Sequence, residues 1–176
     1  IIVRERVRTR RALVLVVDAS GSMKGERIRT AAAVVGALAG ELAHDDLAVI
    51  AFWSDAAVLQ TFGQQQSPDR LLDLLTRIPA RGLTNVGFPL ELAAAELRKR
   101  PAQDARVLLL SDCVHNAGPD PRPLAARLPR LDVLLDLSGE HDEELARELS
   151  AAGKGALQTV TTHRDVATAL TRIFTT

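Results

Sequence analysis

The sequence predicts an α/β fold: a single doubly wound, mostly parallel sheet of six strands with one antiparallel edge strand and helices on both faces. Three observations carry that expectation. From Ala12 onward, apolar runs of strand length alternate with stretches of helical periodicity. Several of those runs are apolar at every residue, as central parallel strands covered on both faces must be. A length of 176 residues, 47% hydrophobic and 25% charged, suits one domain with a full core.

The first strand, Ala12 to Val17, contains no polar residue. After it, Ile28, Ala31, Val35, Leu38 and Leu42 recur at three- and four-residue intervals, an apolar stripe on a long helix whose exposed face is expected to carry Arg27, Arg29 and Glu41. Leu47 to Trp53 is a second apolar strand. Ala56 to Phe62 follows too closely for an intervening helix, so the two pair as an antiparallel hairpin. Ser67-Pro68-Asp69 reads as an N-cap and helix start, with Leu71, Leu74, Leu75 and Ile78 as the buried face. Arg81-Gly82-Leu83-Thr84-Asn85 breaks that pattern, and Pro89 opens another helix with Leu90, Ala94 and Leu97 inward. Arg106 to Leu110 is a strand. The prolines at 119, 121 and 123 limit the next helix to a short piece over Leu124 to Leu128. A strand from Val133 to Leu137, a helix from Asp142 to Ala151 stopping near Gly153, and a strand from Ala156 to Val160 follow. The closing helix starts at Thr162, with Asp165 completing a capping box and Val166, Leu170 and Ile173 facing inward.

Composition narrows the function classes. Lys and Arg total 22 and Asp and Glu total 22, a formal net charge of +0, so the field on which non-specific nucleic-acid binding relies is missing. The lone Cys113 excludes an internal disulfide and a cysteine-rich zinc site, and points to a reducing, cytoplasmic compartment. No apolar run approaches the roughly 20 residues of a spanning helix. Because the chain begins at Ile1 and not at methionine, it reads as a piece of a longer or trimmed protein. Arg4, Arg6, Arg8, Arg10 and Arg11 mark residues 1–11 as a basic flank or truncated linker, leaving 12–176 as the domain.

The chemistry is expected where strands end. Val17 gives way to Asp18-Ala19-Ser20-Gly21-Ser22, and Leu110 to Ser111-Asp112. Ligands of open parallel sheets bind outside the carboxyl ends of strands whose connections leave on opposite faces. If these two strands are neighbours, the carboxylates face each other. Asp18, Ser20 and Ser22 alternate, so an extended turn places their oxygens on one side, and Gly21 lets the backbone bend around them. Hydroxyls and carboxylates suit a small hard cation such as Mg²⁺, which takes about six oxygens at ~2.0–2.1 Å. The tripeptide is equally good N-cap chemistry for the following helix, and alone does not decide between the two.

The wider pattern resembles the von Willebrand factor A domain, or integrin I-type domain, whose metal-ion-dependent adhesion site is written D-x-S-x-S, then a distant Thr, then a distant Asp. Those elements fall on Asp18-Ala19-Ser20-Gly21-Ser22, on Thr84 in Gly82-Leu83-Thr84-Asn85, and on Asp112 in Leu109-Leu110-Ser111-Asp112, in the family's order. The resemblance covers Ala12 to Thr176 and implies a Rossmann-like fold. It also implies direct contact of Ser20 and Ser22 with Mg²⁺, Mn²⁺ or Ca²⁺, direct or water-mediated contact of Thr84, and mainly water-mediated roles for Asp18 and Asp112. An open coordination position would then accept an Asp or Glu carboxylate from a partner protein, with no catalysis. The basic approach Arg8-Thr9-Arg10-Arg11-Ala12 and the segment from Asp18 to Met23 are similar to the bacterial intracellular group, which works beside MoxR-type AAA+ ATPases or in chelatase-like assemblies. One position departs from the pattern: Cys113 stands where the family usually has glycine, and a cysteine at positive φ would be strained. Asn116 matches an asparagine common just beyond this aspartate in bacterial members.

Two other readings compete. A haloacid-dehalogenase-like phosphotransferase also begins with an apolar strand ending in a nucleophilic aspartate, here Asp18, but needs a second carboxylate as acid–base where this chain has Ser20. A structural domain of the same fold with an inactive metal site is the other. Serine hydrolysis lacks a G-x-S-x-G elbow. His44, His115, His141 and His163 show no ligand spacing, and only His115 lies near the site. Asp45, Asp46 and Asp55 read as solvated loop carboxylates, and Cys113 as a plain small side chain.

Overall fold

The computed structural model describes residues 10–21, 23–42, 46–79 and 82–176. Its strands are β1 (Arg11–Asp18), β2 (Leu47–Phe52), β3 (Ala56–Gln60), β4 (Asp104–Ser111), β5 (Leu131–Asp136) and β6 (Lys154–Val160). Its helices are α1 (Glu26–Glu41), α2 (Pro68–Thr76), α3 (Gly87–Lys99), α4 (Arg122–Arg127), α5 (Glu143–Ala152) and α6 (Val166–Phe174). The six strands lie in the order β3-β2-β1-β4-β5-β6, and every neighbouring pair is parallel except β2 with β3. This is the doubly wound sheet with one antiparallel edge that the apolar runs predict.

The two-residue period of a strand explains the two cores. Ala12, Val14 and Val16 of β1 pack into one cluster with Leu90 and Ala93 of α3, Ala125 of α4 and Leu149 of α5. Leu13, Leu15 and Val17 pack into the other with Val35 and Leu38 of α1, Leu71 and Leu75 of α2, and Leu170 and Ile173 of α6. At the amino-terminal end of the sheet Asp132 is fully buried. It accepts from Arg130 Nε at 2.9 and 3.2 Å and from the Ala156 N–H at 2.8 Å, with Arg106 Nη1 3.5 Å away.

Several boundaries differ from the sequence expectation, each for a local reason. Helix α3 begins before Pro89 because Asn85 Oδ1 accepts the N–H groups of Gly87 and Phe88 at 3.1 and 3.2 Å, leaving Pro89 in the first turn, where its missing N–H costs nothing. Helix α4 likewise starts at Arg122, with Pro123 in its first turn. Strand β3 ends at Gln60, short of Phe62: the register shifts between Val49 and Ile50, and Gln60 turns inward to donate through Nε2 to Leu47 O at 2.9 Å. Strand β4 begins at Asp104, whose N–H donates to Arg10 O at 3.1 Å. The capping box of Thr162 and Asp165 is present, opening a 3-10 turn (His163–Asp165) before α6. Asp46, expected in solvent, lies 2.7 Å from Arg100 Nη2. Residues 1–9 of the basic flank, His44, Asp45 and Arg81 lie outside the described residues.

Candidate metal centre

Strands β1 and β4 are parallel neighbours with Val17 opposite Leu110, and the helices that follow them, α1 and α4, pack on opposite faces. The crevice between the two strand ends is therefore the switch point of the sheet. Strand parity decides which side chains meet there. Asp18 continues the row of Ala12, Val14 and Val16, and Ser111 that of Val107 and Leu109, so both point to one face. Ser111 Oγ donates to Asp18 Oδ2 at 2.6 Å. The other oxygen, Oδ1, accepts the Ser20 backbone N–H at 2.9 Å and the Ser20 hydroxyl at 2.5 Å. Both oxygens of a carboxylate only 5% exposed are thus committed to shaping the loop. The Ala19 N–H pins the same loop to Phe52 O at 2.7 Å.

The turn after β4 is built in the same way. Ser111 Oγ accepts the Cys113 N–H at 2.8 Å, Asp112 Oδ1 accepts that of Val114 at 3.0 Å, and Asp112 O accepts that of Asp142 at 2.9 Å. Cys113 adopts φ 60°, the left-handed region for which glycine is favoured, and its side chain is fully buried. The turn geometry is therefore kept with a cysteine in it. Burial, with the charges of Asp18 and Asp112 adding to it, pushes the thiol up to about 12, so it stays protonated.

Thr84 is brought to this edge by contacts on two sides. Its N–H donates to Asn116 Oδ1 at 2.7 Å, and its carbonyl accepts from the N–H groups of Asn116 and Ala117 at 3.1 Å each. The next residues follow suit: Asn85 N–H reaches Trp53 O at 3.0 Å and Val86 N–H reaches His115 Nδ1 at 3.1 Å. The loop after β4 thus holds the Thr84 loop, through Asn116 and His115. Ser22 lies outside the described residues.

Two groups at the crevice escaped the sequence reading. Arg27, expected on the exposed face of α1, turns inward with a side chain only 22% exposed. Its Nη2 donates to Asp112 Oδ2, its Nε lies 3.8 Å from Asp136 Oδ2, and its Nη1 packs against Gly21, where a Cβ would collide with it. Helical periodicity places a Cα on a face, but an arginine in the first turn is long enough to reach back over the strand ends. Asp136 closes β5, and its Oδ1 accepts the Ser138 N–H at 2.8 Å. Its signal was in the sequence: Val133-Leu134-Leu135-Asp136 repeats the apolar strand ending in aspartate seen in β1 and β4.

Desolvation holds the Asp112 carboxyl above its ordinary range and the charge of Asp18 adds to this, while the Val114 N–H and Arg27 oppose it. The crevice gathers three carboxyl groups, those of Asp18, Asp112 and Asp136, around the single guanidinium of Arg27. Its donors are oxygens from carboxylates and hydroxyls, a set that fits a hard divalent cation. Among the described residues no group of three or more His, Cys, Asp or Glu side chains could hold a metal by itself, so hydroxyls are needed in any such site here.

A family profile described as von Willebrand factor type A domain matches residues 13–115. No curated protein matches the chain. Among solved structures, a von Willebrand factor type A protein from Catenulispora acidiphila aligns with TM-score 0.74 and 19% identity, over 91% of this chain and 41% of that one. The manganese-loaded TRAP protein of Plasmodium vivax aligns with TM-score 0.70 and 21% identity, over 90% and 71%. Proximal thread matrix protein 1 of the mussel byssus, with zinc in its MIDAS motif, aligns with TM-score 0.73 and 14% identity, over 94% and 47%. At these identities the likeness is one of fold.

Proposed function

The chain belongs to the von Willebrand factor type A domain family, and from that membership and the geometry of the crevice we propose that it is a non-catalytic interaction module that captures an acidic residue of a partner protein through a divalent cation. Ser20, Ser22 and Thr84 hold the ion, and Asp18 and Asp112 act mainly by orienting hydroxyls and bound water. A bound Mg²⁺, Mn²⁺ or Ca²⁺ supplies a coordination place for the partner's Asp or Glu carboxylate. The manganese of the Plasmodium protein and the zinc of the mussel protein support a divalent ion.

One observation carries the reading. The Ser20 hydroxyl donates its proton to Asp18 Oδ1 at 2.5 Å, which leaves its oxygen lone pairs free to act as a cation ligand. A serine serving only as helix cap would instead accept backbone N–H groups of the first turn of α1, and among the described residues no side chain does so there. The partner class we propose is a MoxR-type AAA+ ATPase in the cytoplasm, supported by the arginines that lead into β1 and by the Asp18-to-Met23 segment. No helix among the described residues is long and apolar enough to cross a membrane.

The test is twofold. Calorimetric titration with Mg²⁺ and Mn²⁺ shows saturable binding to the wild-type chain, lost in the Ser20→Ala/Ser22→Ala double variant with an unchanged circular dichroism spectrum. Capture of the ATPase on the immobilised domain is abolished by the same variant and by EDTA. Capture that survives both would refute the proposal.

A further inference from the structure

We propose that Arg27 is an internal counter-cation of the carboxylate crevice, so that metal binding is an exchange in which the ion displaces its guanidinium; this deepens the metal-site reading above and rests on it. Asp18 and Asp136 close β1 and β5, Asp112 stands just past the end of β4, and the three line one small cleft with Ser111 and Arg27. The carboxylates that Arg27 faces are largely withdrawn from water, with side chains 14% and 10% exposed. Buried charges of one sign need an opposite charge among them, and a planar fork of donors can serve several acceptors at once. Arg27 reaches Asp112, approaches Asp136 and packs on Gly21 inside the Asp18-Ala19-Ser20-Gly21-Ser22 loop.

The hydrogen bonds of Asp112 make the competition specific. One of its oxygens accepts the Val114 N–H, and the other accepts Arg27. An ion or ion-bound water that recruits Asp112 must compete for that second oxygen. A divalent ion and a guanidinium also repel each other across a cleft with little water to screen them. Arg27 therefore balances the charge of the metal-free chain and lowers its apparent affinity for metal.

The experiment titrates Mn²⁺ alone into the wild type, Arg27→Gln and Arg27→Lys, with calorimetry for affinity and thermal melts with and without the ion. Removing a charge-assisted competitor in Arg27→Gln tightens Mn²⁺ binding by about tenfold, while its metal-free melting temperature falls and recovers on adding Mn²⁺. Arg27→Lys keeps the charge but loses the fork, folds as the wild type does, and gives an intermediate affinity. Equal or weaker Mn²⁺ binding in both variants overturns the exchange and leaves the metal site standing. Absence of Mn²⁺ binding in all three proteins sinks the metal site, and the exchange with it.

Discussion

Cys113 provides a stability experiment whose outcome depends on backbone strain more than on side-chain size. Its φ of 60° costs an L-residue roughly 1–2 kcal/mol, while its buried side chain contributes packing to the core cluster of α3, α4 and α5. Cys113→Ala keeps the strain and loses the buried sulfur, a change of about 1 kcal/mol when one methylene-sized group counts ~0.8 kcal/mol. Going on to glycine removes a further ~0.8 kcal/mol of burial, adds about 0.5–1 kcal/mol of unfolded-chain entropy, and relieves the ~1–2 kcal/mol of strain. These contributions nearly cancel. The alanine and glycine variants should therefore unfold within about 1 kcal/mol of each other, whereas at a buried position with negative φ glycine would be lower by the two losses together, roughly 1.3–1.8 kcal/mol. Urea denaturation with a common m-value measures the difference. A glycine variant less stable than the alanine variant by about 1.3 kcal/mol or more would show that Cys113 stores no strain.

Three further outcomes are expected. Asp132→Ala empties a fully buried position, removes the carboxylate that Arg106 and Arg130 share and leaves the Ala156 N–H without its acceptor, and should lower stability by about 3 kcal/mol, a fall in melting temperature of about 6–12 °C by calorimetry. Side-chain and backbone hydrogen bonds from His163 hold the Glu26 carboxyl at about 2, below its ordinary 4.5. Because the folded value is the lower one, this stabilisation is complete above about pH 4.5 and disappears as pH falls toward 2, so melting curves of the wild type and Glu26→Gln should converge across that window. The buried, protonated Cys113 thiol should resist alkylation at pH 8 in the folded chain and react at once in guanidinium; equal rates in the two states would contradict its burial.

The fold was legible where both faces of an element are covered. Strands β1 and β4 have no solvent face, so their apolar runs admitted one reading, and α6 announced itself by a capping box. Edges were less legible. Strand β3 is partly exposed and bulged against β2, so its end could not be placed by alternation, and the starts of α3 and α4 depended on whether a proline lay at or after the first turn. At the crevice, Asp18 and Asp112 were singled out by their places just after apolar strands, while Thr84 was named only through the family resemblance. Arg27 did not, because periodicity speaks for the Cα and not for a guanidinium several bonds away. Asp136 was missed although it obeys the rule that identified Asp18 and Asp112.

The outer margins of the sheet bear on how the molecule behaves in a crowded solution. A parallel sheet whose inner strands are this apolar would recruit a neighbour's strand, and fibrils, if its borders were straight and flat. One border, β3, is five residues long, out of register with β2 at Val49, and spends the Gln60 side chain on its own partner strand. The other, β6, opens with an exposed Lys154 twisted to φ 57°. Each border presents a short, kinked or charged template to which another copy has little to add, so the chain can keep a strongly oily interior and still remain dispersed.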